Sequence, residues 1–162
     1  MDLETTVRRL QDRAELQELL ARYCRHADQL DPEGMTECFT PDCIVAYVPE
    51  SMAAPARNRQ QLLGFLRDYF PNSVSSAHYI TNVELLFDTP DRVIAHTYMY
   101  SWQRFKAYPT AADCHRYGRY EFQFLRTPTG WRISRLNLLS MGEYGGARIS
   151  EQFNRPWPPR FE

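Results

Sequence analysis

The sequence has almost no net charge. Its 19 Lys and Arg nearly cancel its 20 Asp and Glu, leaving −1 over 162 residues. Nothing in that balance favours nucleic acid or an anionic membrane, so neither is expected as a partner. Long apolar runs are also missing. The first stretch, MDLETTVRRLQDRAELQELL, is charged from residue 2. It has neither the basic-then-apolar pattern of a secretory leader nor a membrane-spanning segment, so a cytoplasmic location is the expectation. There is no GxGxxG, no Walker loop and no HExxH, which leaves dinucleotide, nucleotide and zinc-protease chemistry without a foothold. Cys24, Cys38, Cys43 and Cys114 form no CxxC pair and no zinc spacing. They read as small buried hydrophobes in a reducing compartment. No metal site and no cofactor are expected. Repeats and low-complexity segments are absent, and the length suits one domain.

Aromatic residues, in contrast, are plentiful: ten Tyr, nine Phe and three Trp. That payload suits a large aromatic core or an aromatic-lined pocket. The clearest helix is QDRAELQELLARYCRHADQL. Asp12 and Glu15 stand as a capping pair, and Leu16, Leu19, Leu20, Tyr23, Ala27 and Leu30 recur at helical spacing. Val7 and Leu10 suggest a shorter helix before it. A short helix follows with Asp31 as cap and Pro32 in its first position, then a strand over 43–48. Another helix over 58–70 has Asn58 as its cap. Strand-like runs at 76–87, 92–106, 115–126 and 131–141 are separated by turn signals. Helices followed by a meander predict an α+β fold, helices packed on one face of a mostly antiparallel sheet. The domain is expected to cover 1–145. The Pro-rich tail 146–162 is expected to be extended and to dock through Trp157 and Phe161.

Three groups could form a site. His78 interrupts an otherwise alternating strand, SSAHYITNVELLF. Asp28 lies in the last turn of the long helix, where the macrodipole disfavours a carboxylate. Tyr23 sits one turn earlier. A buried Asp needs a partner, and an Asp accepting from one imidazole nitrogen would orient the other as a base. A nearby tyrosine could donate to a substrate oxygen. His96, Tyr98, Tyr100 and Trp102 share one strand face, which could line a pocket or form a subunit contact. Asn82 shares the parity of His78 and could face the same pocket, or serve a turn.

Tyr-x4-Asp late in the long helix, FTPDC, HYITN and GWRISRLNL occur in an order that resembles the SnoaL-like part of the nuclear transport factor 2-like superfamily. Within it the chain is most similar to the scytalone dehydratase, bile-acid 7α-dehydratase and hexachlorocyclohexane dehydrochlorinase group, from about residue 5 to 145. The resemblance implies a cone-like barrel, a bent sheet wrapped around the long helix, with a deep pocket inside. It implies a cofactor-independent lyase acting on a hydrophobic oxygenated small molecule, with Asp28, His78 and Tyr23 catalytic. Tyr47, His96, Trp102, Tyr120 and Asn82 are the expected substrate-binding residues, Trp102 standing where scytalone dehydratase has a second catalytic histidine. Isomerases and cyclases of polyketide- or steroid-like substrates use the same kind of pocket. A non-catalytic binding protein and a structural subunit of a ring-hydroxylating dioxygenase fit the same fold as well. The resemblance also implies a homo-oligomer, a trimer ahead of a dimer.

Overall fold

The computed structural model describes residues 2–47, 54–107 and 113–145; the tail with Trp157 and Phe161 lies outside them. The first helix, α1 (Leu3–Asp28), is a single element. Its cap is Asp2, whose carboxylate accepts from Thr5 N at 2.8 Å. The expected start at Asp12 is therefore wrong. No Pro or Gly separates Val7 and Leu10 from Leu16, so the helix runs through. Asp12, buried at mid-helix, accepts from Arg126 Nη2 at 2.7 Å and Trp131 Nε1 at 3.1 Å instead of capping. Leu16, Leu19, Leu20, Tyr23 and Ala27 face the core, as their spacing predicts.

Two shorter helices fall where their caps place them. In α2 (Pro32–Glu37) Asp31 accepts from Gly34 N. In α3 (Arg59–Tyr69) Asn58 accepts from Gln61 N. The strands are β1 (Phe39–Ala46), β2 (Ser73–Thr89), β3 (Arg92–Phe105), β4 (Cys114–Thr127) and β5 (Gly130–Tyr144). They form one sheet in the order β1-β5-β4-β3-β2. β1 runs parallel to β5, and every other pair is antiparallel. β1 starts four residues before the expected Cys43, because Phe39 already pairs with Ile133 ahead of a register shift.

Irregular register recurs at Thr81/Glu84 in β2 and in β5 opposite Tyr117/Gly118, where Met141 is the extra residue. Such bulges bend a strand and increase its twist, which curls the sheet about α1. At the second, a Cβ on Gly118 would meet Leu139 O at 2.7 Å, so glycine permits the close approach of β5. The inner face carries Val93, Ala95, Thr97, Met99, Ser101, Gln103 and Phe105 from β3 and Arg116, Tyr120, Phe122 and Phe124 from β4. All four cysteines are free; Cys24 is partly buried and the others are buried.

That parity corrects three expectations. His96 and Trp102 alternate with the buried residues and lie on the outer face, His96 exposed and Trp102 half-buried. Asn82 is exposed at the β2 bulge with φ 52°. The bulge shifts the register after Thr81, so parity counted from His78 no longer holds there.

Candidate active site

Asp28 ends α1 where the helix crosses β2. Its Oδ1 lies 2.6 Å from His78 Nδ1, and its Oδ2 accepts from the His78 backbone N–H at 3.1 Å. Ser76 Oγ donates to Oδ1 at 3.3 Å and to Ala27 O at 3.2 Å. Three donors from one strand segment thus hold a carboxylate that the helix dipole disfavours. An ionised carboxylate only accepts. In the neutral ring Nδ1 therefore carries the proton, and Nε2 keeps its lone pair.

His78 lines a partly open cavity of about 60 Å³ between α1, α3 and the sheet. Tyr23, Tyr47 and Tyr120 line it too, as do Met99, Ser101, Gln103 and Arg116. A groove of about 410 Å³ between α1 and β2, bordered by Leu20, Cys24 and Ile80, reaches His78 from another side. Burial pushes the Cys24 thiol up to about 12, so it stays protonated at neutral pH.

Tyr23 Oη donates to Tyr47 Oη at 3.2 Å, and the Tyr23 ring meets Tyr120 edge-on at 6.4 Å. Tyr47, Phe65 and Tyr69 stack in series at 5.8 Å spacings, forming an aromatic wall. Burial drives the hydroxyls of Tyr23, Tyr47, Tyr69 and Tyr120 well above the ordinary phenol range. All four remain neutral donors. In the unfolded chain they ionise near pH 10, so their raised folded values give stability present below that pH and lost as pH rises above it. A spectrophotometric titration should show these four tyrosines ionising only as the protein unfolds. Their reversible titration in the folded state near pH 10 would contradict the burial.

The structure thus brings Asp28, His78, Tyr23, Tyr47 and Tyr120 to one place and leaves out His96, Trp102 and Asn82. Trp102 has another task. Its Nε1 donates to Asp113 at 2.9 Å, while Arg104 grips Asp113 with two hydrogen bonds and stacks over the indole. Trp102→Phe is expected to cost about 1 kcal/mol of stability and to leave KM unchanged. A tenfold rise in KM at unchanged stability would return Trp102 to the pocket.

Of the polar pocket residues, Tyr69, Ser101, Gln103 and Arg116 escaped the sequence reading. Gln103, beside Trp102, lies on the inner face of β3. Arg116 is 3% exposed; it donates to Tyr47 O at 3.2 Å and to Ser140 Oγ at 3.4 Å. The available signal was alternation: with Tyr120 facing inward, Arg116 must as well. Arg119, the other arginine of that stretch, is exposed. Among the described residues, no group of three or more His, Cys, Asp or Glu could hold a metal ion. None of the described helices is long and apolar enough to cross a membrane.

Residues 8–137 match the SnoaL-like domain. No curated protein sequence matches the chain. Solved structures do. A provisionally named scytalone dehydratase of Novosphingobium aromaticivorans superposes with a TM-score of 0.79 at 19% identity, covering 86% of this chain and 91% of that one. A hexachlorocyclohexane dehydrochlorinase of Novosphingobium barchaimii gives 0.75 at 19% identity over 95% and 99% of the two chains. A provisionally named aromatic ring hydroxylase of Novosphingobium aromaticivorans gives 0.76 at 24% identity over 84% and 94%. At such identities the likeness is one of fold.

Proposed function

The chain belongs to the SnoaL-like domain family, and on that premise we propose that it is a cofactor-independent lyase that removes a proton from carbon in a small, ring-bearing substrate. The observation that carries this reading is the 2.6 Å contact between Asp28 and His78 at the wall of a largely apolar cavity. His78 Nε2 takes the proton, and Asp28 holds the ring in position and stabilises the imidazolium that forms. The C–H electron pair becomes the new double bond as a hydroxyl or halide leaves the adjacent carbon with its bonding pair. For a hydroxyl, the proton on His78 returns to the departing oxygen and water is released. Tyr47, neutral and buried, accepts from the Tyr23 hydroxyl and donates to a carbonyl or leaving oxygen as charge collects there, so Tyr23 acts through Tyr47.

The cavity is small for this task. An apolar cavity that accepts benzene measures roughly 150 Å³, against about 60 Å³ here. A ring-sized substrate therefore requires the Tyr47–Phe65–Tyr69 wall to yield. The dehydratase and dehydrochlorinase names of the structural neighbours support elimination ahead of isomerisation or cyclisation in the same pocket.

The test is a panel of cyclic β-hydroxyketones and vicinal halo compounds incubated in D2O with the wild type. Elimination is expected, with the alkene product detected by NMR. Tyr47→Phe should lower kcat about tenfold and change KM little, as expected for a donor used in the transition state. Deuterium gained at a substrate carbon without loss of a leaving group would make the protein an isomerase instead. Neither elimination nor exchange across the panel would favour a binding role.

A further inference from the structure

The base has a cross-strand neighbour that the elimination chemistry above does not use. His78 on β2 pairs directly with Ser101 on β3. Directly opposed residues of an antiparallel pair put their side chains on the same face, with Cβ atoms about 4.5–5.5 Å apart. Both residues line the same cavity, and Ser101 is 1% exposed. Polar side chains around it are engaged elsewhere. Ser76 Oγ bonds Asp28 and Ala27 O, Gln103 Oε1 takes the Tyr69 hydroxyl, and Arg116 bonds Tyr47 O and Ser140 Oγ. The Ser101 hydroxyl has no hydrogen-bond partner among the described residues.

A buried hydroxyl without a partner costs free energy, and a substrate oxygen that reaches it removes that cost. Serine is both donor and acceptor. Next to an imidazole that has just taken a proton, it can pass one proton on as it receives another. Loss of a hydroxyl needs that transfer, because the departing oxygen must gain a proton to leave as water. Loss of a halide does not, because the halide leaves as a stable anion.

We propose that Ser101 is a further catalytic residue, that it contacts the departing hydroxyl, and that it makes the site select hydroxyl over halide as the leaving group. This rests on the proton-abstraction reading and narrows it to dehydration. His78 Nε2 takes the proton from carbon, and the C–H pair becomes the double bond. The C–O bond breaks with its pair going to oxygen. The Ser101 hydroxyl gives its proton to that oxygen and takes the one on Nε2, so water leaves and both side chains return to their starting states. Tyr47 then serves the carbonyl alone. The substrate class is a cyclic β-hydroxyketone, with its carbonyl towards Tyr47 and its hydroxyl between His78 and Ser101.

β-Hydroxycyclohexanone and β-chlorocyclohexanone test this, because both give cyclohexenone and differ only in the group that leaves. Enone formation is followed by its ultraviolet absorbance, with the uncatalysed rate subtracted. Ser101→Ala is expected to lower kcat roughly 100-fold for the hydroxyl compound and no more than about threefold for the chloride. Ser101→Thr, which keeps the hydroxyl, should retain about a tenth or more of the wild-type rate on the hydroxyl compound. A merely structural role would lower both reactions alike. Thermal melts check that each variant is folded. Ser101→Cys, equal in shape and a poor donor, replaces Ser101→Ala if that variant does not fold. Equal losses on the two compounds, no loss on either, or a wild type that eliminates only the chloride each overturns the proposal. Turnover of neither compound by the wild type overturns the substrate class and the proposal with it. If Ser101→Ala shows the selective loss while His78→Ala leaves both reactions intact, only the base assignment fails. If His78→Ala abolishes both reactions while Ser101→Ala treats the two compounds alike, only the Ser101 assignment fails.

Discussion

His78→Ala is expected to lower kcat by roughly 10²- to 10⁴-fold, the range general-base catalysis supplies, with little change in KM. The imidazole is the proton acceptor, and nothing else on the described cavity wall can replace it at neutral pH. The tyrosines are held neutral, the Cys24 thiol is pushed up to about 12, and Asp28 is directed at His78 itself. Asp28→Asn should approach the same loss while keeping the shape of the site. An amide NH2 facing Nδ1 donates to it, so the ring proton moves to Nε2 and the base is blocked. If the amide turns its oxygen to Nδ1, its NH2 meets the backbone N–H of His78 that Oδ2 now receives. Either orientation leaves one poor contact. Steady-state kinetics on any substrate the wild type turns over, with thermal melts confirming folded variants, measures both. Full activity in both variants would remove the dyad from the mechanism.

The second large effect concerns stability. Asp12→Ala is expected to cost about 3 kcal/mol, roughly a 10 °C fall in Tm for a chain of this size. Asp12 is 4% exposed and ties α1 to the far ends of β4 and β5 through Arg126 and Trp131. Its loss leaves the buried Trp131 N–H without its acceptor. It also leaves Arg126 with the exposed carboxylate of Asp91 and the face of Trp131. The control is Asp91→Ala, which removes the exposed arm of the same network and should cost under about 1 kcal/mol. Similar small losses for both variants would mean that the buried pair only offsets its own desolvation.

Asp12 also shows where sequence reasoning stops. Its pairing with Glu15 fits a local capping pattern, but its partners lie more than a hundred residues away. Only the fold brings them together, and local spacing cannot separate a cap from a long-range anchor. Elements governed by local chemistry were legible. Asp31 and Asn58 cap α2 and α3, and Pro32 opens α2. The four-strand meander follows its turn signals. The Asp28–His78 pairing was legible too, through the order of short motifs rather than through periodicity.

The pocket lining was harder to read, because a strand's two faces exchange with a single residue of slip. His96 and Trp102 are aromatic or polar residues at regular alternation, which fits either face. Only the buried partners of β3, such as Ala95 and Met99, decide the matter. The bulge after Thr81 breaks parity and sends Asn82 outward. Arg116 went unnoticed because a buried arginine runs against composition rules. Its inward direction follows only once Tyr120 is known to face the core.

The central claim is that Asp28 holds His78 with its proton on Nδ1 and its lone pair on Nε2. Long-range ¹⁵N–¹H NMR of histidine-labelled protein reads that tautomer without a substrate, with His78→Ala identifying the resonance. The account predicts a protonated Nδ1 and a bare Nε2 in the neutral ring, reversed or mixed in Asp28→Asn. A neutral His78 protonated on Nε2 in the wild type would contradict it.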